Sequence, residues 1–172
     1  MAKRIITISR EFGSGGRFIG EEVAKKLGMK YYDKDIISQI AEKLGFSKEY
    51  ISQNAELSPK KGLFAYALTG RDTTGKSVED MVYEAQRRVI LELADKEPCV
   101  IIGRNADYIL KDIKNCTSVY LYADREFRKN RVKEIYGSNA EIMDKEEKNR
   151  ADYYNYYTGC LLYTSPSPRD TR

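Results

Sequence analysis

Apolar residues along this chain follow two patterns, short continuous runs and longer stretches with helical spacing. Residues 5–8 form a short β-branched run, as in a strand buried within a parallel sheet. The next apolar positions recur at helical spacing and are Ile19, Val23, Ala24 and Leu27. Gly28 follows as a C-terminal helix cap. The chain is therefore predicted to begin as strand, glycine-rich loop and helix.

The same two patterns predict the elements that follow. Further strands are predicted at residues 29–35, 98–102 and 118–123. Further helices are predicted at residues 36–44, where Asp35 is the N-cap, 77–96, 124–132 and 140–154. In the helix at 77–96, Gln86, Arg87 and Arg88 interrupt the apolar side. Residues 46–77 are the least regular part, and we expect either a partly helical insertion that closes over a substrate or plain connecting structure.

The glycine-rich loop is the first candidate for chemistry, and its residues are Gly13, Ser14, Gly15, Gly16 and Arg17. A loop without side chains brings backbone N–H groups close to an anion, and the positive end of the next helix favours phosphate there. The pattern G-x-x-x-x-G-K-[ST] is not met, because Arg17 stands at the lysine or at the hydroxyl position according to the alignment. No Ser or Thr follows to hold magnesium. An ordinary glycine turn is the alternative.

A second segment matches the same pattern letter for letter, at residues 70–77. The pattern requires a preceding strand, and residues 63–68 are a poor strand candidate. We therefore favour the first loop and keep the second as an alternative.

Charged residues follow two of the predicted strands. Asp33 ends the strand at 29–35, and Arg104 lies one residue beyond the glycine that ends the strand at 98–102. Ligands of parallel α/β sheets bind just outside the carboxyl ends of the strands. We expect Arg104 to bind a phosphate and Asp33 to have a functional role.

Arginines recur every three residues in the helix at 124–132, at Arg125, Arg128 and Arg131. Like charges on one helix face repel each other unless an anion or acidic side chains lie between them. The spacing favours a phosphate clamp. A solvated helix with acidic partners such as Glu126 and Glu134 is the alternative.

Composition restricts the chemistry further. The 172 residues suit one domain, are 41% hydrophobic and 33% charged, and carry a net charge of +4. Histidine is absent, which excludes Ser-His-Asp and Cys-His catalysis and makes a zinc enzyme a poor hypothesis. The three cysteines, Cys99, Cys116 and Cys160, lack metal-ligand spacing. With no membrane-length apolar run and no signal-peptide core, we expect a cytoplasmic protein without nucleic-acid or membrane partners.

Four stretches together resemble the cytidylate kinase-like branch of the nucleoside monophosphate kinases. They cover residues 8–16, 32–35, 102–107 and 151–157. The resemblance extends over about residues 4–159 and implies a three-layer α/β P-loop kinase fold with a five-stranded parallel sheet. It implies a single domain, residues 1–159, with an acceptor-binding insertion at about 45–77 and an arginine-rich lid region at about 124–155.

The resemblance also implies site roles, with ATP and Mg²⁺ as cofactors and no metal ligand assigned. ATP phosphates would bind at the glycine-rich loop, Gly13 to Arg17. The acceptor would be bound by Asp33, Arg104 and Asp107, where Gly103-Arg104-Asn105 is similar to a Gly-Arg-Asp segment of cytidylate kinases. The lid would contribute Arg125, Arg128, Arg131 and Arg150. The catalytic residues would be Arg17, Arg128 and Arg131.

We therefore expect phosphoryl transfer from ATP to a nucleoside monophosphate, CMP or dCMP in the first place. A nucleotide-binding regulatory protein without turnover and a kinase for another small phosphoacceptor are the alternatives. The acceptor base and the oligomeric state stay open. Residues 160–172 are rich in Ser and Pro without a packing period, and we expect a non-native or disordered tail.

Overall fold

The computed structural model describes residues 4–33, 78–137 and 140–162. The strands are β1 (Ile5–Arg10), β2 (Lys30–Tyr32), β3 (Cys99–Ile102) and β4 (Cys116–Leu121). The helices are α1 (Gly16–Leu27), α2 (Val78–Lys96), α3 (Ala106–Ile109), α4 (Arg125–Tyr136) and α5 (Ala140–Thr158). The predicted helix at 36–44, the insertion at about 45–77, the second glycine-lysine motif and most of the predicted tail lie outside the described residues.

All strand pairs are parallel, and the order in the sheet is β2-β3-β1-β4. In register, Ile5 of β1 lies opposite Cys99 of β3 on one side and Cys116 of β4 on the other. Within the described residues the sheet has four strands, whereas the resemblance implied five. The predicted parallel α/β sheet is confirmed.

Helices cover both faces of the sheet, and successive side chains of β3 pack on alternate faces. Cys99 and Ile101 pack with Ile90 and Ala94 of α2, in a cluster that also holds Leu110. On the opposite face, Val100 and Ile102 pack with Ile8 of β1 and Ala24 of α1. All four β3 residues are buried, as expected for an apolar strand in the middle of three layers.

Two predicted helix faces differ from those observed. In α1 the buried residues are Gly16, Gly20 and Ala24, while Ile19 and Leu27 are 43% and 48% exposed. Helix α1 approaches the sheet most closely at Gly20, because a Cβ there would lie 2.3 Å from Cδ1 of Ile102 in β3. The apolar spacing located the helix, but glycine, which carries no hydrophobic signal, makes its contact with the sheet.

In α2, Gln86 does not interrupt the buried side as predicted. It is 2% exposed and belongs to a buried row that includes Val82, Ile90 and Ala94. Its Oε1 accepts a hydrogen bond of 3.0 Å from the Tyr153 hydroxyl of α5. A buried polar group is tolerated where it is hydrogen-bonded, and this contact satisfies the amide oxygen. The amide nitrogen has no hydrogen-bond partner among the described residues.

No helix in the described ranges is long and apolar enough to cross a membrane. The cytoplasmic location stays a prediction.

The three cysteines are expected to differ in reactivity towards a thiol reagent. Cys99 is buried, and burial raises the pKa of its thiol to about 11, whereas Cys160 is exposed. Because the thiolate is the reactive form, we expect Ellman's reagent at pH 8 to modify Cys160 in the fast phase and Cys99 only on unfolding. The variant Cys160→Ser should lose the fast phase, and a fast phase that persists would contradict the placement.

Candidate functional site

The glycine-rich loop connects β1 to α1 through left-handed backbone positions. Gly13 has φ 82° and Gly15 has φ 86°. The Ser14 hydroxyl donates to the Glu11 carbonyl at 2.9 Å, which closes the turn, and α1 begins at Gly16. The predicted order of strand, loop and helix is confirmed, and the positive end of the α1 dipole lies beside the loop.

The loop packs directly on α4. A Cβ on Gly13 would lie 2.9 Å from the Arg128 carbonyl oxygen and 2.9 Å from Cγ2 of Val132. Gly15 lies beside the Arg131 guanidinium, because a Cβ there would be 3.5 Å from its Cζ. The Arg131 guanidinium also lies 5.0 Å from the centre of the Phe18 ring. A cation from α4 is thus held next to the loop.

Arg17 and Asp33 form an ion pair that joins two predicted subsites. Nε of Arg17 lies 3.0 Å from Oδ2 of Asp33, whose side chain is 9% exposed. The Tyr31 hydroxyl donates to the Arg17 carbonyl at 3.3 Å and lies 3.5 Å from Oδ2 of Asp33. Arg17 was predicted to bind ATP phosphates and Asp33 to bind the acceptor. The structure places the two side chains in direct contact at the end of β2.

The turn after β3 is strained. Gly103, Arg104 and Asn105 have φ values of 68°, 58° and 55°, a left-handed conformation that costs about 1–2 kcal/mol for each residue other than glycine. A Cβ on Gly103 would lie 2.1 Å from Nη1 of Arg10, so the Arg10 guanidinium packs where a side chain would stand. Strain of this kind concentrates at binding sites.

Three arginines line one pocket at the carboxyl ends of β1 and β3, and we call it the arginine pocket. Arg10 ends β1, Arg104 follows β3, and Arg150 comes from α5. The other lining residues are Ser9, Gly103, Asn105, Tyr153, Tyr154 and Leu162. No carboxylate is among these described lining residues. The arrangement suits an anion, because guanidinium groups form charge-assisted, bidentate hydrogen bonds to phosphate.

Asp107 lies beside this pocket and does not line it. Its Oδ2 accepts a hydrogen bond of 2.8 Å from the hydroxyl of Tyr154, which is a lining residue. Asp107 therefore supports the wall of the arginine pocket, and direct contact with an acceptor stays a prediction.

A groove lies next to the arginine pocket, between α2 and α5. Tyr83 and Tyr157 stack there, with ring centres 3.9 Å apart. The groove has a volume of about 580 Å³ and is also lined by Asp80, Glu84, Arg87, Arg88 and Leu91. The ring of Tyr157 lies 5.0 Å from that of Tyr153, which lines the arginine pocket. One aromatic layer thus separates the two spaces.

The chain is similar to known proteins in sequence and in fold. Residues 5–169 match the sequence profile of the cytidylate kinase-like family. The chain belongs to that family. It is 28% identical to a cytidylate kinase of Archaeoglobus fulgidus, over 89% of this chain and 76% of the relative. It is 30% identical to a cytidylate kinase of Pyrococcus horikoshii, over 90% of this chain and 72% of the relative.

Solved structures show the same fold. An uncharacterized protein from Eubacterium ventriosum superimposes with a TM-score of 0.69 at 25% identity, covering 95% of this chain and 83% of that one. A gluconokinase from Sinorhizobium meliloti superimposes with a TM-score of 0.53 at 15% identity, covering 87% and 75%. The second likeness concerns the fold alone. The predicted P-loop kinase fold is confirmed.

The lid arginines predicted for this family member do not share one surface. Arg125 pairs with Asp144 at 2.7 Å, and both side chains are about half exposed. Arg128 is 7% exposed and is held by Glu11 and Glu147. Arg131 lies at the loop, and Arg150 lines the arginine pocket. The expected clamp is thus divided among three environments, because the three-residue spacing turns successive side chains around the helix, and Arg150 belongs to α5.

Arg10 is the site residue that sequence reasoning missed. The rule that selected Arg104, a cation at the carboxyl end of a buried strand, applies equally to Arg10. Tyr153 and Tyr154 gave no comparable signal, because they reach the pocket only through the packing of α5.

Substitution of Gly13 is expected to destabilise the protein more than substitution of another left-handed glycine. Gly13→Ala adds a Cβ against the Arg128 carbonyl and Val132, and we expect a loss of about 2–4 kcal/mol in the free energy of unfolding. Gly28 has φ 62° with nothing within 4 Å of a new Cβ, so Gly28→Ala should cost about 1–2 kcal/mol. Urea unfolding measures both, and equal losses would contradict the close packing of the loop on α4.

Tyr31 is expected to make stability depend on alkaline pH. Burial in the first place, and then the Asp33 carboxylate, raise the pKa of Tyr31 to about 12 from an ordinary value of 10.0. The unfolded chain therefore loses this proton first, so the stabilisation is complete below pH 10 and is lost between pH 10 and about 12. In urea unfolding at pH 9, 10.5 and 11.5, Tyr31→Phe should reduce that loss. Tyr122→Phe, at an exposed tyrosine, should leave that loss of stability unchanged. Equal behaviour of the two variants would refute the burial of Tyr31 beside Asp33.

Proposed function

We propose that this protein transfers the γ-phosphoryl group of ATP to a nucleoside monophosphate, with CMP or dCMP as the acceptor. The arginine pocket carries the proposal, because it places three guanidinium groups at the carboxyl edge of the sheet beside the glycine-rich loop. The family supports a kinase, and the curated relatives are named cytidylate kinases.

The glycine-rich loop fits the phosphates of ATP. Its left-handed glycines leave the backbone accessible, and the start of α1 provides N–H groups and the positive end of a helix dipole. The Arg131 guanidinium lies beside Gly15 and supplies a cation next to the loop. Arg17, half exposed and paired with Asp33, provides a second cation near the same loop.

The arginine pocket fits the phosphate of the acceptor. Arg10 and Arg104 come from neighbouring strand ends and Arg150 from α5, so a phosphate among them is approached from separate elements. The strained backbone at Arg104 and Asn105 is held in place by a hydrogen bond of 3.1 Å from the Ala106 N–H to the Gly103 carbonyl. A site held in this way binds without reorganising.

The adjoining groove supplies a place for the nucleobase. It adjoins the arginine pocket at the rings of Tyr157 and Tyr153, which lie 5.0 Å apart. The stacked tyrosines offer an aromatic face, and the carboxylates of Asp80 and Glu84 are acceptors for an amino group. Cytosine presents such an amino group at N4, whereas uracil presents an oxygen at the same position.

Transfer then requires positioning and neutralisation of charge more than covalent chemistry. An oxygen of the acceptor phosphate forms a bond to the γ-phosphorus while the bond from that phosphorus to the β–γ bridging oxygen breaks, and ADP leaves with that electron pair. Arg131, beside the loop, would neutralise charge on the transferred group. The three pocket arginines would hold the acceptor phosphate in line and offset its negative charge.

Magnesium bound with ATP would supply positive charge at the phosphates beside the glycine-rich loop. The described residues contain no group of three or more side chains with metal-ligand character. Magnesium in kinases is held mainly by phosphates and water with one or two protein ligands, so the absence of a protein cage in that part of the chain is compatible with its use.

A regulatory protein that binds nucleotide without turnover is the second candidate. It is favoured by the loop itself, in which neither a lysine nor a hydroxyl residue follows the last glycine. The two proposals differ in one observable, the acceptor-dependent formation of ADP.

Replacement of Arg104 tests the acceptor site. We expect Arg104→Ala to raise KM for CMP by about 10–100-fold, the equivalent of one lost charge-assisted hydrogen bond, while KM for ATP changes little. ADP release is measured with CMP, dCMP, UMP and AMP offered separately, and Lys26→Ala, an exposed change on α1, is the control. Saturable ATP binding with no ADP release for any acceptor would favour the regulatory protein.

A further inference from the structure

Arg128 is the most enclosed charged side chain near the glycine-rich loop. It is 7% exposed, and its guanidinium is surrounded by two carbonyl oxygens and two carboxylates. Nε donates to the Ala123 carbonyl at 3.1 Å and lies 3.2 Å from Oε2 of Glu11. Nη1 donates to the Phe12 carbonyl at 3.3 Å and to the Glu147 carboxylate.

These partners belong to separate segments of the chain. Glu11 and Phe12 lie between β1 and the glycine-rich loop, Ala123 lies in the turn between β4 and α4, and Glu147 lies on α5. Oε2 of Glu11 also accepts a hydrogen bond of 3.1 Å from the Ala123 N–H. One guanidinium therefore joins the loop, α4 and α5.

The loop and Phe12, which precedes it, contact the same two helices. The Phe12 ring lies 5.7 Å from the ring of Tyr136, at the end of α4, and 5.0 Å from the guanidinium of Arg150, on α5. Gly13 packs against the Arg128 carbonyl. Arg131 and Arg150, the cations placed at the loop and in the arginine pocket, thus belong to the helices that Arg128 joins to the loop.

We propose that Arg128 is a positioning residue, which fixes α4 and α5 against the glycine-rich loop and so sets where Arg131 and Arg150 stand. It acts through those residues and does not itself contact phosphate. Two carboxylates already engage its guanidinium, and an incoming phosphate would have to displace them from a buried cation. The expected effect on catalysis rests on the proposed function. The joining of the loop to the two helices does not depend on that function.

The test compares two carboxylates on α5 that pair with arginines of α4. Glu147→Gln weakens the buried contact to Arg128. Asp144→Asn weakens the exposed contact to Arg125, one turn earlier on the same helix, and is the matched control. Circular dichroism and thermal unfolding confirm that both variants are folded at the working temperature.

The first readout is hydrogen–deuterium exchange in residues 11–17 without nucleotide. We expect Glu147→Gln to accelerate exchange by about tenfold or more, because Arg128, whose guanidinium donates to the Phe12 carbonyl, then loses one of its two carboxylate partners. We expect Asp144→Asn to change exchange by less than about twofold. The second readout is KM for ATP, which should rise about tenfold in Glu147→Gln, and Arg128→Lys should act in the same direction because an ammonium is a point charge.

Two results would overturn the proposal. Equal exchange in Glu147→Gln and Asp144→Asn would show that Arg128 does not hold the loop. A lower KM for ATP in Glu147→Gln would show that Glu147 restrains an arginine that binds phosphate directly. If the wild-type protein shows no ATP turnover, the proposed function fails, and the exchange comparison still decides whether Arg128 joins the loop to the helices.

Discussion

The parallel pairing of β1 with β3 is the constraint on which the candidate site depends. Ile8 lies opposite Ile102, and the Gly103 N–H donates to the Ile8 carbonyl at 2.9 Å, so β1 continues to Arg10 just beyond the end of β3. From there the chain leaves in opposite directions, since β1 leads to β2 at one edge and β3 leads to β4 at the other. Such a divergence opens a crevice at the carboxyl ends, and Arg10 and Arg104 stand at its sides.

Clustering of cations is the cost of this arrangement, and the chain uses its arginines in two ways. Around the arginine pocket, guanidinium groups are brought together beside a strained turn. Beneath the glycine-rich loop, Arg128 is enclosed by two carboxylates. A buried charge is tolerated where it is paired and hydrogen-bonded, so Arg128 serves the architecture while Arg131, on the same helix, lies beside the glycine-rich loop. The same residue type in one short segment therefore has different duties.

Much of the fold could be predicted from the sequence, and the reasons for the failures are physical. The β-branched run of β1 and the apolar run of β3 identified buried strands, and the glycines between β1 and α1 identified the loop. Periodicity failed where contact depends on the absence of a side chain, as at Gly20, or on a buried amide whose oxygen accepts a hydrogen bond, as at Gln86. Arg104 was located because strand ends are local signals. The burial of Arg128 could not be predicted, because Glu11 and Glu147 are distant in sequence and only the fold brings them together.

The aromatic row between α2 and α5 gives this protein a built-in optical reporter. The chain contains 14 tyrosines and no tryptophan, so tyrosine emission is not masked by transfer to an indole. Tyr83 and Tyr157 are stacked, and Tyr153 and Tyr156 contact Tyr157 edge to face. The near-ultraviolet dichroism of this cluster depends on the mutual orientation of its rings. Any displacement of α5 relative to α2 can therefore be followed spectroscopically in the unlabelled protein.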